Sequence, residues 1–196
     1  MPIKPEYDNQ ILRAWFLCHR TCDTLARCEN RIFAEYNITN EQYAVLSAMK
    51  ALGDPVRSID LARAIERSPH SISMIIDRMV TAGLVRRVRD LNDRRAVRLV
   101  ITNKGENALK PSTLAGWKFI QEIMSVLSHK DLHTLVRLFE IIKKSALQYL
   151  EPGVNIEETR SSDITNKLDL MNQLCQYISS STTEAKPQDN ENLKTT

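Results

Sequence analysis

The sequence predicts a mainly α-helical chain: a winged helix-turn-helix with a two-stranded wing, flanked by long N- and C-terminal dimerisation helices. Three observations predict it. Two β-prone runs, 84–89 and 96–101, flank a polar tip at 91–95, which reads as a hairpin, and residues 84–102 carry six arginines and two aspartates. Directly before the hairpin, Ser68 and Pro69 open a helix that stops at Gly83. On either side, apolar residues recur at helical spacing over long stretches. A capped helix followed by an arginine-rich ribbon suits duplex DNA, the helix entering the major groove and an arginine of the ribbon reaching the minor groove.

Each element follows from local chemistry. Residues 7–36 read as one helix, with Ile11, Trp15, Cys18, Cys22, Leu25, Ile32 and Tyr36 in a stripe that Leu12, Phe16 and His19 widen. Asn37 and Asn40 bracket a break, and Thr39 with Gln42 forms a capping box for a second helix ending near Gly53. Residues 55–57 allow only a minor strand. Ser58 is expected to cap a short helix bearing Leu61, Ala62 and Ile65. Ser68 caps the next, with Pro69 in its first turn, where a missing N–H costs nothing. Its buried face is predicted as Ile72, Ile75, Ile76 and Met79, leaving His70, Ser71, Ser73, Met74, Asp77 and Arg78 outside. Thr102 should cap a helix reaching about Leu127, and Ser128 with Asp131 a last one bearing Leu132, Leu135, Val136, Phe139, Ile142, Ala146 and Leu150. Beyond Pro152 and Gly153, residues 164–178 show one further stripe (Ile164, Leu168, Met171, Leu174, Ile178), followed by a polar stretch expected to be disordered. The organisation predicted is a helical dimerisation region at 1–38 and 103–150, a DNA-binding domain at 39–102, and a tail at 151–196 with one helix.

The net charge of +3 is bland, but its distribution is not. Residues 57–110 hold twelve Lys/Arg against six Asp/Glu, whereas residues 151–196 hold four against eight. A basic middle calls for an anionic partner. The four cysteines show no Cys-x-x-Cys spacing, the start of the chain lacks an apolar leader, and no apolar run approaches the roughly 20 residues that span a bilayer. These features suggest a cytoplasmic, reducing environment without membrane association. No catalytic triad, phosphate loop or paired carboxylate at a useful spacing points to an enzyme. His129 and His133 are spaced i, i+4, yet no third ligand stands at a supporting spacing, so neither metal nor cofactor is expected.

The order of helices and wing resembles the MarR family of winged-helix transcriptional regulators over about residues 7–150. The resemblance is carried by Gly83, Leu84 and Val85, by Asp93, Arg94, Arg95, Ala96 and Val97, and by the run Leu99, Val100, Ile101, Thr102, Asn103, Lys104, Gly105. It implies a DNA-binding regulator; the 46-residue tail is longer than the family usually carries.

The candidate DNA-binding residues are Ser68, His70, Ser71, Ser73, Met74, Arg78, Asp93, Arg94 and Arg95. Residues at the start of a recognition helix meet base edges, where serine pairs with several bases and methionine touches a thymine methyl. Arg78, one turn later, falls over phosphate. Asp93 and Arg95, two residues apart on a strand edge, share a face, so the carboxylate can hold the guanidinium extended toward the minor groove while Arg94 meets phosphate. The resemblance leaves the choice between the two arginines open, and the bland alternative is a surface ion pair. Trp15 and His19 share a face of the first helix. The resemblance makes them candidates for a small aromatic or phenolic effector's pocket, against the alternative of an aromatic core. Cys18 and Cys22, also i, i+4, are redox candidates or simple packing.

The function expected is a homodimeric, sequence-specific DNA-binding regulator, a repressor on a near-palindromic operator, released by a small effector. A thiol-switched DNA-binding regulator is one alternative. A winged-helix module that docks protein is another, although such a module has no need of an Asp-Arg-Arg tip.

Overall fold

The computed structural model describes residues 9–89, 97–150 and 176. Its elements are α1 (Asn9–Ala34), α2 (Asn40–Leu52), α3 (Ser58–Ala64), α4 (Pro69–Thr81), β1 (Val85–Arg89), β2 (Val97–Ile101), α5 (Asn103–Met124) and α6 (His129–Leu150). The strands pair antiparallel, Val85 opposite Ile101 and Arg89 opposite Val97. Val56 adds a single bridge to Leu99 on the other edge of β2. The wing tip, with Asp93, Arg94 and Arg95, and the predicted tail helix at 164–178 lie outside the described residues, Gln176 apart.

Local rules account for most boundaries. Thr39 and Gln42 close the capping box in both directions, satisfying two backbone donors at the start of α2. Ser68 accepts from the Ser71 amide with Pro69 at the first helical position. Gly83, at φ +72°, takes the left-handed turn that releases the chain into β1. Two boundaries differ from expectation. Ser58 does not cap α3: it is the first helical residue, and Arg57 holds the cap position without a side-chain cap bond. The Arg57 guanidinium instead donates twice to Asp60, at 2.9 and 3.0 Å, tying the first turn from outside. And α5 ends at Met124 rather than near Leu127.

The core sits under the helix-turn-helix. Leu46 and Met49 of α2, Leu61 of α3, Ile72, Ile76 and Met79 of α4, Leu99 of β2 and Leu109 of α5 are fully buried. The expected inner face of α4, with Ile75 included, is therefore the observed one. The first helix behaves differently. Its one buried residue is Phe33, near the C-terminal end, stacked on Tyr43 at 4.3 Å between ring centroids. Gly116 of α5 faces that ring so closely that a Cβ there would lie 3.3 Å from it. The predicted stripe of α1 lies mostly on the surface of the single chain, with Trp15 58% exposed.

A candidate nucleic-acid interface

Helices α3 and α4 form the helix-turn-helix. The turn between them needs one left-handed residue, Glu66 at φ +52°, and the Arg67 amide donates to the Ala62 carbonyl at 3.0 Å. Burial of Ile72, Ile75, Ile76 and Met79 turns the opposite face of α4 to solvent. Of the residues singled out on it, Ser68, His70, Ser73, Met74 and Arg78 are exposed. Ser71 is half-buried, its amide engaged by the Ser68 hydroxyl. These side chains line about three turns of one helix, with no buried polar group among them that would need a partner from the protein.

Sequence reasoning missed how the wing is fastened to this helix. Arg87 of β1 donates to the carboxylate of Asp77 on the exposed face of α4, ten residues earlier. Arg98 of β2 donates to the Pro55 carbonyl at 3.2 Å. Asp54, whose carboxyl burial pushes above the ordinary range, accepts the Ile101 amide at 3.1 Å. Arg86, Arg87 and Arg89 are exposed along β1; Arg87 and Arg89 share the strand face that meets α4, whereas Arg86 lies on the opposite face, within electrostatic reach of Asp54. No spacing rule finds the Arg87–Asp77 pair, because the partners meet only after Gly83 reverses the chain.

The Leu-x-Ile-Thr-x-x-Gly run acquires a physical reason. The Thr102 hydroxyl lies 2.7 Å from the Gly83 carbonyl and 3.0 Å from that of Leu84, and it accepts the Gly105 amide at 3.1 Å. A Cβ on Gly105 would lie 2.3 Å from the Leu84 carbonyl oxygen. Lys104 donates to the Ala82 carbonyl at 2.9 Å. The end of the recognition helix, the base of the wing and the start of α5 thus form one joint.

The remaining candidates lie elsewhere. Trp15 and His19 stand together on α1, their rings 4.4 Å apart and tilted by 57°, both exposed in the single chain. Cys18 is half-buried and Cys22 exposed. Desolvation, then the neighbouring Cys18, push the Cys22 thiol above its ordinary range, which disfavours the thiolate that redox chemistry needs. Among the described residues no group of His, Cys, Asp and Glu is placed to hold a metal ion, and no helix is long and apolar enough to cross a membrane.

Comparison with known proteins agrees with this architecture. A family model described as the MarR family matches residues 36–96, from just after α1 to the residue before β2. The HTH-type transcriptional regulator PrsX of Escherichia coli is 26% identical over 148 residues, covering 75% of this chain and 87% of that relative. Among solved structures, a mutant MarR from E. coli complexed with operator DNA is similar with a TM-score of 0.62 at 22% identity, over 70% of this chain and 98% of that one. The organohalide sensing RdhR-CbdbA1625 transcriptional regulator, in its 2,4-dichlorophenol bound form, is similar with a TM-score of 0.68 at 21% identity, over 78% and 90% of the two chains. With the helix-turn-helix, the two-stranded wing and the joint at Thr102 and Gly105 in place, this chain carries a winged helix similar to that of the MarR family, whose model matches residues 36–96.

Proposed function

We propose that the chain is a homodimeric repressor that reads a near-palindromic operator in double-stranded DNA and is released by a small aromatic or phenolic effector. The observation that carries the DNA-binding part is the exposed face of α4, with Ser68, His70, Ser73, Met74 and Arg78, beside the β1 face that bears Arg87 and Arg89. Ser68 through Met74 meet base edges in the major groove, Arg78 meets phosphate, and Arg95 or Arg94, oriented by Asp93, enters the minor groove. The MarR likeness to a chain crystallised with operator DNA supports this reading.

Dimerisation is inferred from apolar surface. Ile11, Trp15 and Phe16 of α1, Trp117 and Ile120 of α5, and Val136, Phe139 and Ile142 of α6 are exposed in the single chain, and apolar surface gathered on long helices marks an interface. Two copies joined there place two recognition helices about one DNA turn apart. A dimer seated across an operator blocks the DNA it covers, hence a repressor. The effector acts by favouring a dimer with the wrong helix separation, which requires different affinity for the two forms. Trp15 and His19, on the same helix as the dimer surface, are the proposed pocket residues, and the 2,4-dichlorophenol bound relative supports an aromatic ligand. The raised Cys22 thiol ranks the thiol-switched alternative second.

The test selects DNA from a random pool with the purified protein, then measures affinity for the enriched site. Arg95→Ala is expected to weaken the enriched site most where its flank is A·T-rich, since a narrow minor groove is more negative. Arg78→Ala should weaken all sequences alike and shallow the salt slope by about one unit. Light scattering should give twice the 22.4 kDa chain mass. Failure to enrich any sequence overturns the DNA reading, and a stable monomer at micromolar concentration overturns the dimer.

A further inference from the structure

We propose that α6 carries a second docking face, centred on Leu138 and Ile141, and that residues 164–178 of the C-terminal segment occupy it. No residue of α6 is buried, and its apolar positions run too far round the helix for one neighbour. With successive residues about 100° apart, Leu132, Leu135, Val136, Ile142, Ala146 and Leu150 fall within roughly 60° of Phe139. Leu138 and Ile141 lie roughly 100–160° away on the same scale, and they are 44% and 54% exposed. A helix facing a single partner needs an apolar stripe only about 100° wide. A second copy seated on the Phe139 face therefore leaves Leu138 and Ile141 in water.

The occupant is argued from the chain that follows. Residues 164–178 carry Ile164, Leu168, Met171, Leu174 and Ile178 at helical spacing, and a helix of that length is marginal in water without apolar surface to lie on. Gln176, the described residue of this segment, is helical and exposed; at helical spacing it falls opposite Leu174 and Ile178. The thirteen intervening residues, 151–163, reach at most about 43 Å, enough to return along the roughly 33 Å of α6. Charge favours that return. Residues 151–163 hold Glu151, Glu157, Glu158 and Asp163 against the single Arg160. Helix α6 holds Lys130, Arg137, Lys143 and Lys144 against Asp131 and Glu140, and Arg137 and Lys144 flank Ile141.

Hydrogen exchange on the full-length protein tests this, with light scattering on the same samples. In the wild type, amides of 164–178 are expected to exchange at least about tenfold slower than free coil. The double variant Leu138→Glu, Ile141→Glu should return them to the coil rate while the molar mass stays that of the wild type. Coil-rate exchange in the wild type overturns the proposal, and so does protection that survives the double variant. A drop in mass of the double variant assigns this face to the second copy instead, which also overturns it. Should that variant fail to fold, Leu168→Asp with Leu174→Asp, placed in the tail alone, should speed exchange across residues 136–146; unchanged exchange there overturns the proposal equally.

Discussion

Replacing Gly105 by alanine should destabilise the protein, against what helix propensity alone says. Gly105 is the third residue of α5, and in an ordinary helix the change to alanine gains up to about 1 kcal/mol. Here the new Cβ would stand 2.3 Å from the Leu84 carbonyl oxygen and 2.8 Å from Ile101 Cγ2. The oxygen is backbone and cannot rotate away, so α5 must retreat from the wing by about an ångström. Overpacking of this kind costs about 1–3 kcal/mol. The retreat also stretches the bond from the Thr102 hydroxyl to Gly83 and the cap it makes to the Gly105 amide, each about 1 kcal/mol. Against the propensity gain, the net loss expected is about 2–4 kcal/mol, the sum of these contributions. Urea unfolding at one fixed protein concentration measures it, with Asn103→Ala as a control in the same helical turn. A Gly105→Ala protein as stable as wild type would show that the joint between wing and α5 yields freely, and the close-approach reasoning would be wrong. The same variant should lose operator affinity beyond its loss of stability, because Thr102 anchors the end of the recognition helix.

Ser68→Ala removes the cap of α4 and should cost about 1 kcal/mol, read as a lower urea midpoint; Ser68→Asp, which caps equally well, should restore the midpoint but not DNA affinity, since its charge faces phosphate. Cys22 should react with iodoacetamide at neutral pH no faster than an unstructured thiol, because its thiolate is disfavoured; a rate ten times faster would reinstate redox sensing. Glu29 is raised above 4.5 by burial, with the bond from Asn40 opposing. A raised acid contributes stability that is complete below its unfolded value and is lost as pH rises through its folded value. Glu29→Gln should therefore flatten the loss of stability between pH 4.5 and neutrality, and an unchanged pH profile would refute the burial account. Asp60, lowered by the bond from Arg57, works in the opposite sense, its contribution being lost as pH falls through its depressed value.

What the sequence determined by itself is whatever depends on residues three or four positions apart. The capping box of Thr39 and Gln42, the Ser68 cap, the inner face of α4, the left-handed Gly83 and the Thr102 cap were all legible, since each is decided within one helical turn. Even there, the one-residue error at Ser58 arose because Arg57 and Asp60 secure the turn by a side-chain pair that cap preferences do not describe. The tertiary structure decided what depends on chain reversal. Phe33 rather than the broad stripe of α1 anchors that helix, because α1 meets the core only where Tyr43 and Gly116 close on its C-terminal end. Arg87 finds Asp77, Lys50 of α2 finds Glu106 of α5 at 2.7 Å, and Lys143 of α6 reaches Glu66 in the turn before the recognition helix at 3.3 Å. Periodicity marks Gly105 as a weak helix residue; only the carbonyl of Leu84, brought against it by the wing, makes the missing side chain a requirement. An apolar stripe likewise shows that a face needs covering, but which body covers it depends on the packing of separate elements, and that free energy is not written in any local run of residues.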